Sequence, residues 1–394
     1  MTEAAVAPLP AEAEVVVIGG GVMGASIAFH LAEAGVRDVL LLEKGDLAGG
    51  STSKAAGGVR AQFSDPVNIA LGMRGLDAFE DFPRRPGQEI DLHQPGYLFL
   101  LTDPEQVAVY EQSVALQNAM GVPSRMLTAS EAAALSPGVD MTDVLAASFH
   151  VRDGYCSPES VVMGYASGAR RHGATVRPHV AVTGLDVSAG QVSAVHTEHG
   201  TVQTGSVVCA AGAWSQAIGE MAGVHLPVLP LRRQILITEP LSDEVSAVLP
   251  DTMPMTIDAA TTFYLHREGP AVLLGMSYQG EEPGFREDYS EEWLPDLMSA
   301  VERRCPALLD VGIAHRWVGF YEVTPDHNAL IGESSQVSRF LYAAGFSGHG
   351  FLQGPAVGEV IRDLYLGHTP VVDVAPFTAE RFAHGTLRGE VNIV

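Results

Sequence analysis

The sequence predicts an α/β protein in which a parallel β-sheet is covered by helices and a second, α+β domain is built on a mixed β-sheet. Three observations lead to this fold class. Short apolar runs typical of buried parallel strands occur at residues 15–18, 39–42, 207–210 and 340–344, near the start, the middle and the end of the chain. Segments with helical spacing of apolar residues follow several of these runs. Between residues 226 and 274 the pattern is strand-like and broken by prolines, which indicates a separate β-rich unit.

The elements follow in order along the chain. A strand at 15–18, a helix at 22–34 that is ended by Gly35, and a strand at 39–42 form one βαβ unit. Residues 47–59 are rich in Gly, Ser, Thr and Ala and are predicted to be a loop. Further helices are predicted at 66–79, 104–120, 157–172 and 291–304 and after Gly350 as far as about residue 366, and further strands at 96–101, 175–182, 192–197 and 201–208.

A chain of 394 residues is too long for one ordinary core, so two domains are expected. Because the parallel-strand elements are dispersed along the sequence, each domain is predicted to be discontinuous. The predicted division is 12–90, 151–225 and 320–382 for a dinucleotide-binding domain, 91–150 and 226–319 for a substrate domain, and 1–11 and 383–394 for tails. Residues 1–14 carry acids without Lys or Arg, so we expect a disordered lead-in rather than a secretory signal.

Charge and cysteine content exclude several classes of partner. Lys and Arg number 23 against 47 Asp and Glu, so the formal net charge is −24, and such a surface repels nucleic acid and anionic membranes. Cys156, Cys209 and Cys305 are far apart and have no metal-ligand spacing, so we expect buried thiols and no metal site. No apolar stretch is long enough to span a membrane. These features predict a protein of the reducing cytoplasm.

A glycine motif, Gly19-x-Gly21-x-x-Gly24, lies between the first strand and the first helix. Gly19 permits the tight turn, Gly21 lets the backbone approach a pyrophosphate, and Gly24 lets the helix pack closely on the sheet. The N-terminus of the helix offers free N–H groups to phosphates. Glu43, at the end of the second strand, is placed to bind a ribose hydroxyl pair, which disfavours a 2′-phosphate and therefore NADP.

Three other segments extend the predicted binding site. Residues 49–53 form a second Gly/Ser-rich loop after Glu43, the strand at 207–210 ends in the small residues 211–212, and the Gly-rich residues 345–350 lead into a helix. A helix N-terminus aimed at a flavin ring would stabilise negative charge on the reduced ring. An extended ligand contacted from three distant segments favours FAD, with an NAD-dependent dehydrogenase as the alternative.

The motifs together resemble the D-amino-acid oxidase / sarcosine oxidase superfamily, in particular sarcosine oxidase of the β-subunit type. The resemblance covers residues 14–382 and is carried by VVVIGGGVMGASIAFHLAEAG, LLEKG, GGSTSKAAGGVR, VVCAAGAWS, GFYEVTPDHNALIG and AAGFSGHGF. It implies a Rossmann-type FAD-binding domain, a mixed-sheet substrate domain over the flavin, and oxidation of a C–N bond.

The resemblance also implies roles for individual residues. Arg60 matches an arginine that binds a substrate carboxylate, Tyr321 a tyrosine beside the substrate, and His349 a histidine at the flavin edge, while Tyr264 is expected to line the pocket. The alternatives are a structural Arg60, an ordinary loop His349 and a core Tyr264. The expected FAD contacts are Gly19, Gly21, Val22, Met23, Gly24, Glu43, Lys44, Gly50, Ser51, Thr52, Ala56, Gly57, Gly58, Val182, Ala210, Ala211, Gly212, Trp214, Gly348, Gly350, Phe351 and Leu352.

Four positions depart from the family pattern. Gly319 and Lys54 stand where relatives carry a cysteine or histidine that tethers the flavin, so we expect non-covalent FAD. Leu352 replaces a second carboxylate-binding lysine, which predicts a substrate bulkier than sarcosine, such as a cyclic or N-alkylated amino acid. Leu273 aligns with an oxygen-activating lysine, so the use of oxygen is in doubt.

The predicted function is oxidation of a small secondary, N-methyl or cyclic amino acid by hydride transfer to flavin. The product is an imine, with hydrogen peroxide if the enzyme is an oxidase. One alternative is a dehydrogenase that passes electrons to an acceptor other than oxygen, with the chain as a subunit of a hetero-oligomer. The other alternative is a non-catalytic flavin-bearing assembly protein, since one fold serves many functions.

Overall fold

The structure is a computed structural model that describes residues 8–385 and 387–392. Its strands are β1 Val15–Ile18, β2 Val39–Leu42, β3 Gly58–Val59, β4 Tyr97–Leu101, β5 Arg125–Leu127, β6 Ala146–His150, β7 Gly154–Tyr155, β8 Thr175–Arg177, β9 Val182–Ser188, β10 Gln191–Thr197, β11 Gly200–Gln203, β12 Val207–Cys209, β13 Leu229–Thr238, β14 Met255–Asp258, β15 Tyr264–Glu268, β16 Ala271–Gly275, β17 Ile313–Val323, β18 Leu330–Glu333 and β19 Phe340–Ala344. Its helices are α1 Val22–Glu33, α2 Pro66–Glu80, α3 Pro104–Ala119, α4 Ala129–Leu135, α5 Pro158–Arg171, α6 Ser215–Met221, α7 Asp243–Val248, α8 Leu294–Arg304, α9 Gly350–Leu366 and α10 Arg381–His384.

The first sheet has six strands in the order β18-β19-β12-β1-β2-β8. All neighbours pair in parallel except β18, which is antiparallel to β19. Every residue of β1 and β2 is buried, as expected for parallel strands that are covered on both faces. This arrangement confirms the predicted Rossmann-type α/β fold.

Helices α1, α5 and α9 pack together on one face of this sheet. α1 and α9 come very close, because a Cβ atom added at Gly358 of α9 would lie 2.2 Å from Ser26 Oγ of α1. Both helices begin at the sheet edge where the parallel strands end, since α1 follows β1 and α9 follows β19. Their N-termini therefore lie near the carboxyl ends of the strands, where α/β proteins bind ligands.

The second sheet has eight strands in the order β17-β13-β16-β15-β14-β4-β6-β5. β14 and β4 are parallel and the other pairs are antiparallel, which confirms the predicted mixed sheet. Its strands come from the two chain segments assigned to the substrate domain. The boundary predicted at residue 320 falls inside β17, because the ladder with β13 continues to the pair Leu229↔Val323.

Three predicted elements have different bounds in the structure. The strand predicted at 175–182 is two strands, β8 and the start of β9, which belong to different sheets. The strand predicted at 201–208 is likewise two: β11 closes a hairpin with β10, and β12 joins the parallel sheet. The helix predicted at 291–304 begins at Leu294, because Pro295 fits only in the first helical turn.

Part of each predicted terminal tail is ordered. Residues 1–7, 386, 393 and 394 lie outside the described residues. Ala13 is buried, and its N–H donates to Gln203 O at 2.9 Å, so the lead-in prediction is wrong at this position. At the other end Glu390 is buried and accepts from Ser64 and Asn68, because its carboxylate fills a polar recess beside α2. Glu390 and Asn392 are therefore packed against the rest of the chain, while residues 387–389 and 391 are exposed.

A buried ion pair joins α8 to the strand turn that precedes Tyr264. Arg304 and Asp258 are each about 1% exposed, and Arg304 Nε lies 2.6 Å from Asp258 Oδ2. Asp258 also accepts from the backbone N–H groups of Ala260 and Thr261. The pair thus fixes the turn between β14 and β15.

We predict that Arg304→Met lowers the free energy of unfolding by about 3–5 kcal/mol, because it leaves the buried carboxylate of Asp258 without its cation. Arg303→Met, at the neighbouring exposed position of α8, is the matched control, and we expect a change below about 0.5 kcal/mol. Urea unfolding followed by circular dichroism measures both variants. Equal stabilities would show that the ion pair contributes nothing.

Candidate functional site

A cavity of about 610 Å³, called the main cavity below, lies between the two sheets. The parallel sheet contributes the residues at the carboxyl ends of β1, β2 and β12, and the mixed sheet contributes side chains of β13, β15 and β17. The cavity therefore occupies the position where α/β folds bind dinucleotides, and the mixed sheet covers it.

All four residues predicted to be catalytic, Arg60, Tyr264, Tyr321 and His349, line this cavity. The predicted FAD contacts that line it are Gly19, Gly21, Val22, Met23, Glu43, Lys44, Gly50, Ser51, Thr52, Ala56, Gly57, Gly58, Val182, Ala210, Ala211, Gly212, Trp214, Gly348, Gly350, Phe351 and Leu352. Gly24 is the exception. It lies against β1, where an added Cβ atom would be 1.8 Å from Gly19 O, so its contribution is close packing and not ligand contact.

Glu43 holds the turn around the glycine motif. Gly19 has φ +112°, and its N–H donates to Leu42 O at 2.8 Å. The Glu43 carboxylate accepts from Gly20 N at 2.6 Å and from Gly45 N at 2.7 Å. A carboxylate has about four acceptor positions, so Glu43 can also accept from ribose hydroxyls. It therefore supports the backbone as well as the predicted ligand contact.

The start of α1 offers donors to an anion. No side chain caps this helix, its first turn has no acidic residue, and Gly21, Val22 and Met23 face the cavity. The Thr52 hydroxyl accepts from Val22 N at 3.1 Å. The buried Ser51 hydroxyl has no hydrogen-bond partner among the described residues. A diphosphate would supply the missing acceptor, so these residues fit the phosphates of a dinucleotide.

The start of α9 forms another part of the wall. His349 is the N-cap residue, and no side chain caps the helix. Burial lowers the pKa of His349 to about 3, and the positive charge of Arg60 acts in the same direction. The imidazole is therefore neutral at physiological pH. Its Nε2 is buried and has no partner within residues 8–385 and 387–392.

Three tyrosines, Tyr97, Tyr264 and Tyr321, line the cavity. Tyr97 and Tyr264 are buried, and Tyr321 is partly buried. Burial raises the pKa of all three hydroxyls above the usual value, so they are neutral phenols. The three hydroxyl groups influence one another electrostatically, which places them in one cluster. Neutral phenols can donate a hydrogen bond to a carboxylate or accept one from an amine.

Arg60 lies beside this cluster but is partly engaged. It is 4% exposed, its guanidinium donates to Gln62 O and, at 2.7 Å, to Asn392 O, and it packs 4.0 Å from the ring centre of Phe63. Both acceptors are neutral backbone carbonyls, and no carboxylate pairs with Arg60 in the described chain. The remaining N–H groups of Arg60 are left for a ligand.

Sequence reasoning missed several residues of the cavity wall, namely Tyr97, Arg233, Ile235, Met255 and Glu322. Arg233 is the most informative, because its sequence signal was visible. Two consecutive arginines stand in the otherwise apolar segment LRRQILIT, and successive strand residues point to opposite faces. One arginine must therefore face inwards. Tyr97 carried no such signal, since an aromatic residue in a strand is common in any core.

Burial also changes the acid chemistry of Glu322. It raises the pKa of the Glu322 carboxyl group to about 7, and hydrogen bonds from the N–H groups of Gly345 and Phe346 act in the opposite direction. Gly345 N lies 3.0 Å from Glu322 Oε2. This carboxyl group links β17 to the Gly-rich loop before α9.

The positions that depart from the family pattern lie as follows. A Cβ atom at Gly319 would be 2.5 Å from Lys54 Cβ, so Gly319 and Lys54 face each other at the cavity wall. Leu352 makes the wall apolar where a relative has a lysine. Leu273 does not reach the main cavity but lines a smaller one of about 410 Å³ behind Ala56.

Within the described residues, no cluster of three or more His, Cys, Asp or Glu could hold a metal ion. Among the same residues, no helix combines the length and apolar character needed to cross a membrane.

The fold and the cavity define the class of the protein. A glycine turn, a carboxylate at the end of β2, a helix start that faces the cavity, and tyrosines and arginines on the opposite wall are typical of a dinucleotide-dependent oxidoreductase. The profile of the FAD-dependent oxidoreductase family, DAO, matches residues 14–364, and the chain belongs to this family. The dinucleotide is therefore FAD, and the predicted resemblance to the D-amino-acid oxidase / sarcosine oxidase superfamily is confirmed.

Individual relatives support this assignment. The chain is similar to mitochondrial dimethylglycine dehydrogenase of Rattus norvegicus, with 30% identity over 392 residues, 95% of this chain and 45% of that protein. It is 30% identical over 394 residues to mitochondrial sarcosine dehydrogenase of Mus musculus, which covers 96% of this chain and 42% of that protein. It thus spans less than half the length of these relatives. The solved L-proline dehydrogenase from P. horikoshii has a TM-score of 0.90 and 33% identity, covering 96% of this chain and 100% of that chain.

We predict that Glu43→Ala weakens FAD binding without loss of the fold. Each lost hydrogen bond to the carboxylate contributes roughly 1.5–3 kcal/mol, so we expect the Kd to rise by about 10-fold or more. Flavin fluorescence titration of the flavin-free protein measures the Kd. Glu198→Ala, in the exposed turn of the β10–β11 hairpin, is the control and leaves it unchanged. An unaltered Kd in Glu43→Ala would remove this residue from the ribose site.

Proposed function

We propose that the protein uses FAD to oxidise the C–N bond of a small secondary, N-methyl or cyclic amino acid. The observation that carries the proposal is the chemistry of the cavity beyond the phosphate donors. Three neutral tyrosines, a neutral His349, and the guanidinium groups of Arg60 and Arg233 surround one partly apolar space. The chain is similar to dehydrogenases of dimethylglycine, sarcosine and L-proline, which is consistent with such a substrate.

The reaction requires an acceptor of two electrons, and FAD supplies that acceptor when it is bound. Loss of a hydride from carbon converts the amine into an iminium ion, and a secondary amine also loses its nitrogen proton and becomes an imine. Water then adds to the C=N bond and gives an amine and a carbonyl group. The contribution of the chain is to hold the amine in one orientation, an effect that can lower a barrier by up to ~7–11 kcal/mol.

The arginines also favour the reactive form of the substrate. Only the neutral amine can release a hydride, and an ammonium ion loses its proton more readily near positive charges in a buried site. Arg60 and Arg233 therefore lower the pKa of a bound amine. His349 is already neutral and does not hold that proton at physiological pH. The same positive charges attract the carboxylate of an amino acid, and we assign this contact to Arg60.

The electron acceptor that reoxidises the flavin is proposed to be a species other than oxygen. Leu273, which aligns with an oxygen-activating lysine, is buried, apolar and outside the main cavity, so it offers no cation to reduced oxygen in that cavity. A partner subunit that collects the electrons is consistent with this arrangement. Cys156, Cys209 and Cys305 are unpaired and buried, which is consistent with action in the reducing cytoplasm.

The test of the function is anaerobic bleaching of the flavin absorbance by sarcosine, dimethylglycine, L-proline and glycine, each against a buffer control. We expect rapid bleaching by at least one secondary or tertiary amino acid and slow or no bleaching by glycine. Readmission of air then distinguishes an oxidase, which releases peroxide, from a dehydrogenase, which does so slowly. If no amino acid bleaches the flavin, a non-catalytic flavin-bearing assembly protein becomes the better assignment.

We predict that the FAD is bound non-covalently. Gly319 has no side chain that could form a tether, Lys54 replaces a histidine, and the three cysteines lie outside the lining of the main cavity. Precipitation of the protein with acid should release all yellow colour into the supernatant. Flavin that remains in the washed pellet would contradict the prediction.

A further inference from the structure

Arg233, which is partly buried, lacks among the described residues the carboxylate partner that several buried arginines elsewhere in the chain have. Arg232, its neighbour on β13, pairs with Glu281 at 2.9 Å, Arg304 pairs with Asp258, and Arg381 pairs with Asp326. Arg233 has no carboxylate within ion-pair distance in residues 8–385 and 387–392. An unpaired buried charge is costly, so an arginine kept in this state indicates a ligand that supplies the opposite charge.

The contacts of Arg233 leave donors free toward the cavity. One terminal nitrogen donates to Arg232 O at 3.0 Å, and the guanidinium carbon lies 4.9 Å from the ring centre of Tyr321. Its Nε is buried and has no hydrogen-bond partner in the described part of the chain. Gly319, the residue opposite Arg233 on β17, has no side chain that could fill this role. Burial lowers the pKa of Arg233, yet a guanidinium stays charged at neutral pH.

Arg60 and Arg233 line the same cavity as the three tyrosines. The guanidinium carbon of Arg233 lies 4.9 Å from the ring centre of Tyr321, and the positive charges of both arginines lower the pKa of the Tyr321 hydroxyl against the larger effect of burial. Tyr97 is affected by Arg60 and Tyr264 by Arg233. Lys44, Lys54, Arg60 and Arg233 all line the cavity, and the two arginines carry the planar guanidinium groups. Glu322 follows Tyr321 in sequence and also lines the cavity. Its carboxylate accepts a hydrogen bond from Gly345 N of the Gly-rich loop and does not pair with an arginine of the described chain.

We infer that the substrate carries two carboxylates, one for Arg60 and one for Arg233, on opposite sides of a secondary amine. The substrate class is an N-(carboxyalkyl) amino acid. This inference rests on the proposed function and adds the second anionic group. Arg233 fits such a group because its planar fork can donate two parallel hydrogen bonds to a carboxylate. The amine then lies among the tyrosines, which contribute neutral donors and acceptors.

The test compares substrates that differ only in the second carboxylate. The pairs are iminodiacetate against sarcosine and N-(2-carboxyethyl)glycine against N-ethylglycine, measured as kcat/KM with the FAD-loaded enzyme and an artificial electron acceptor. We expect the dicarboxylate of at least one pair to be preferred by about 10-fold to 100-fold, the range for a charge-assisted bond. Arg233→Gln should remove this preference, mainly by raising the KM of the dicarboxylate more than the KM of the monocarboxylate. Arg233→Lys should restore only part of it.

A binding measurement separates the inference from the proposed function. Thiodiacetate and (methylthio)acetate replace the amine by sulfur and resist the reaction, so calorimetry on the FAD-loaded protein reports affinity alone. Thiodiacetate should bind more tightly to the wild type and lose that advantage in Arg233→Gln. Arg316→Gln, an exposed arginine of the adjacent strand β17, is the control. If the analogue binds in this way but no amine bleaches the flavin, the proposed function fails and the inference stands.

The opposite result overturns the inference. If monocarboxylates bleach the flavin and the second carboxylate changes neither kcat/KM nor analogue affinity, Arg233 does not recognise the substrate. The same conclusion holds if Arg233→Gln and Arg233→Lys, both folded and loaded with FAD, keep the full preference for the dicarboxylate. In either case the proposed oxidation of an amino acid remains valid.

Discussion

The close contact between α1 and β1 is the constraint on which the site depends. Gly24 lies so near to Gly19 O that a Cβ atom would be 1.8 Å away, and this contact brings the start of α1 to the end of the sheet. Glu43 then ties the glycine turn to the next loop through two backbone N–H groups. Because α9 packs directly on α1, the same contact also sets the position of His349 and the loop before it. The phosphate end and the reactive end of the cavity are thereby held by one helix pair.

Charge distribution explains how a strongly acidic protein can bind anions. The net charge of −24 is the sum over the whole chain. The cavity, in contrast, contains helix starts without a capping side chain from the N-cap residue and two guanidinium groups without carboxylate partners among the described residues. In a buried site these positive groups are weakly screened, so they act over short distances on whatever enters. The buried phenols and the imidazole are held neutral by the same lack of solvent. These groups support the proposed preference for a negatively charged ligand and for an amine without its extra proton.

The residues expected to bind the dinucleotide could be predicted from the sequence. Those of the substrate side of the cavity could be predicted only in part. Gly19, Gly21 and Glu43 are needed for local reasons, which are a tight turn, a close approach of the backbone and a position at a strand end. Short sequence motifs indicate such local features. Tyr97 reaches the cavity through the pairing of strands far apart in sequence, which no local pattern reports. For Arg233 the two adjacent arginines indicated only that one of them faces inwards, not that it faces this cavity. Arg60 shows a related limit, because its contact with Asn392 O depends on where the last described residues pack. The predictions of single strands at 175–182 and 201–208 were wrong for the same reason, because each segment contributes strands to two different sheets.

The most direct test of the account is a crystal structure of the FAD-loaded protein with a bound, unreactive sulfur analogue of the substrate. The account predicts a continuous FAD that begins at Gly19 and Glu43 and ends at the tyrosine cluster, with the analogue between its ring and Tyr321. A flavin ring outside this cavity, or an analogue bound without contact to either arginine, would contradict it.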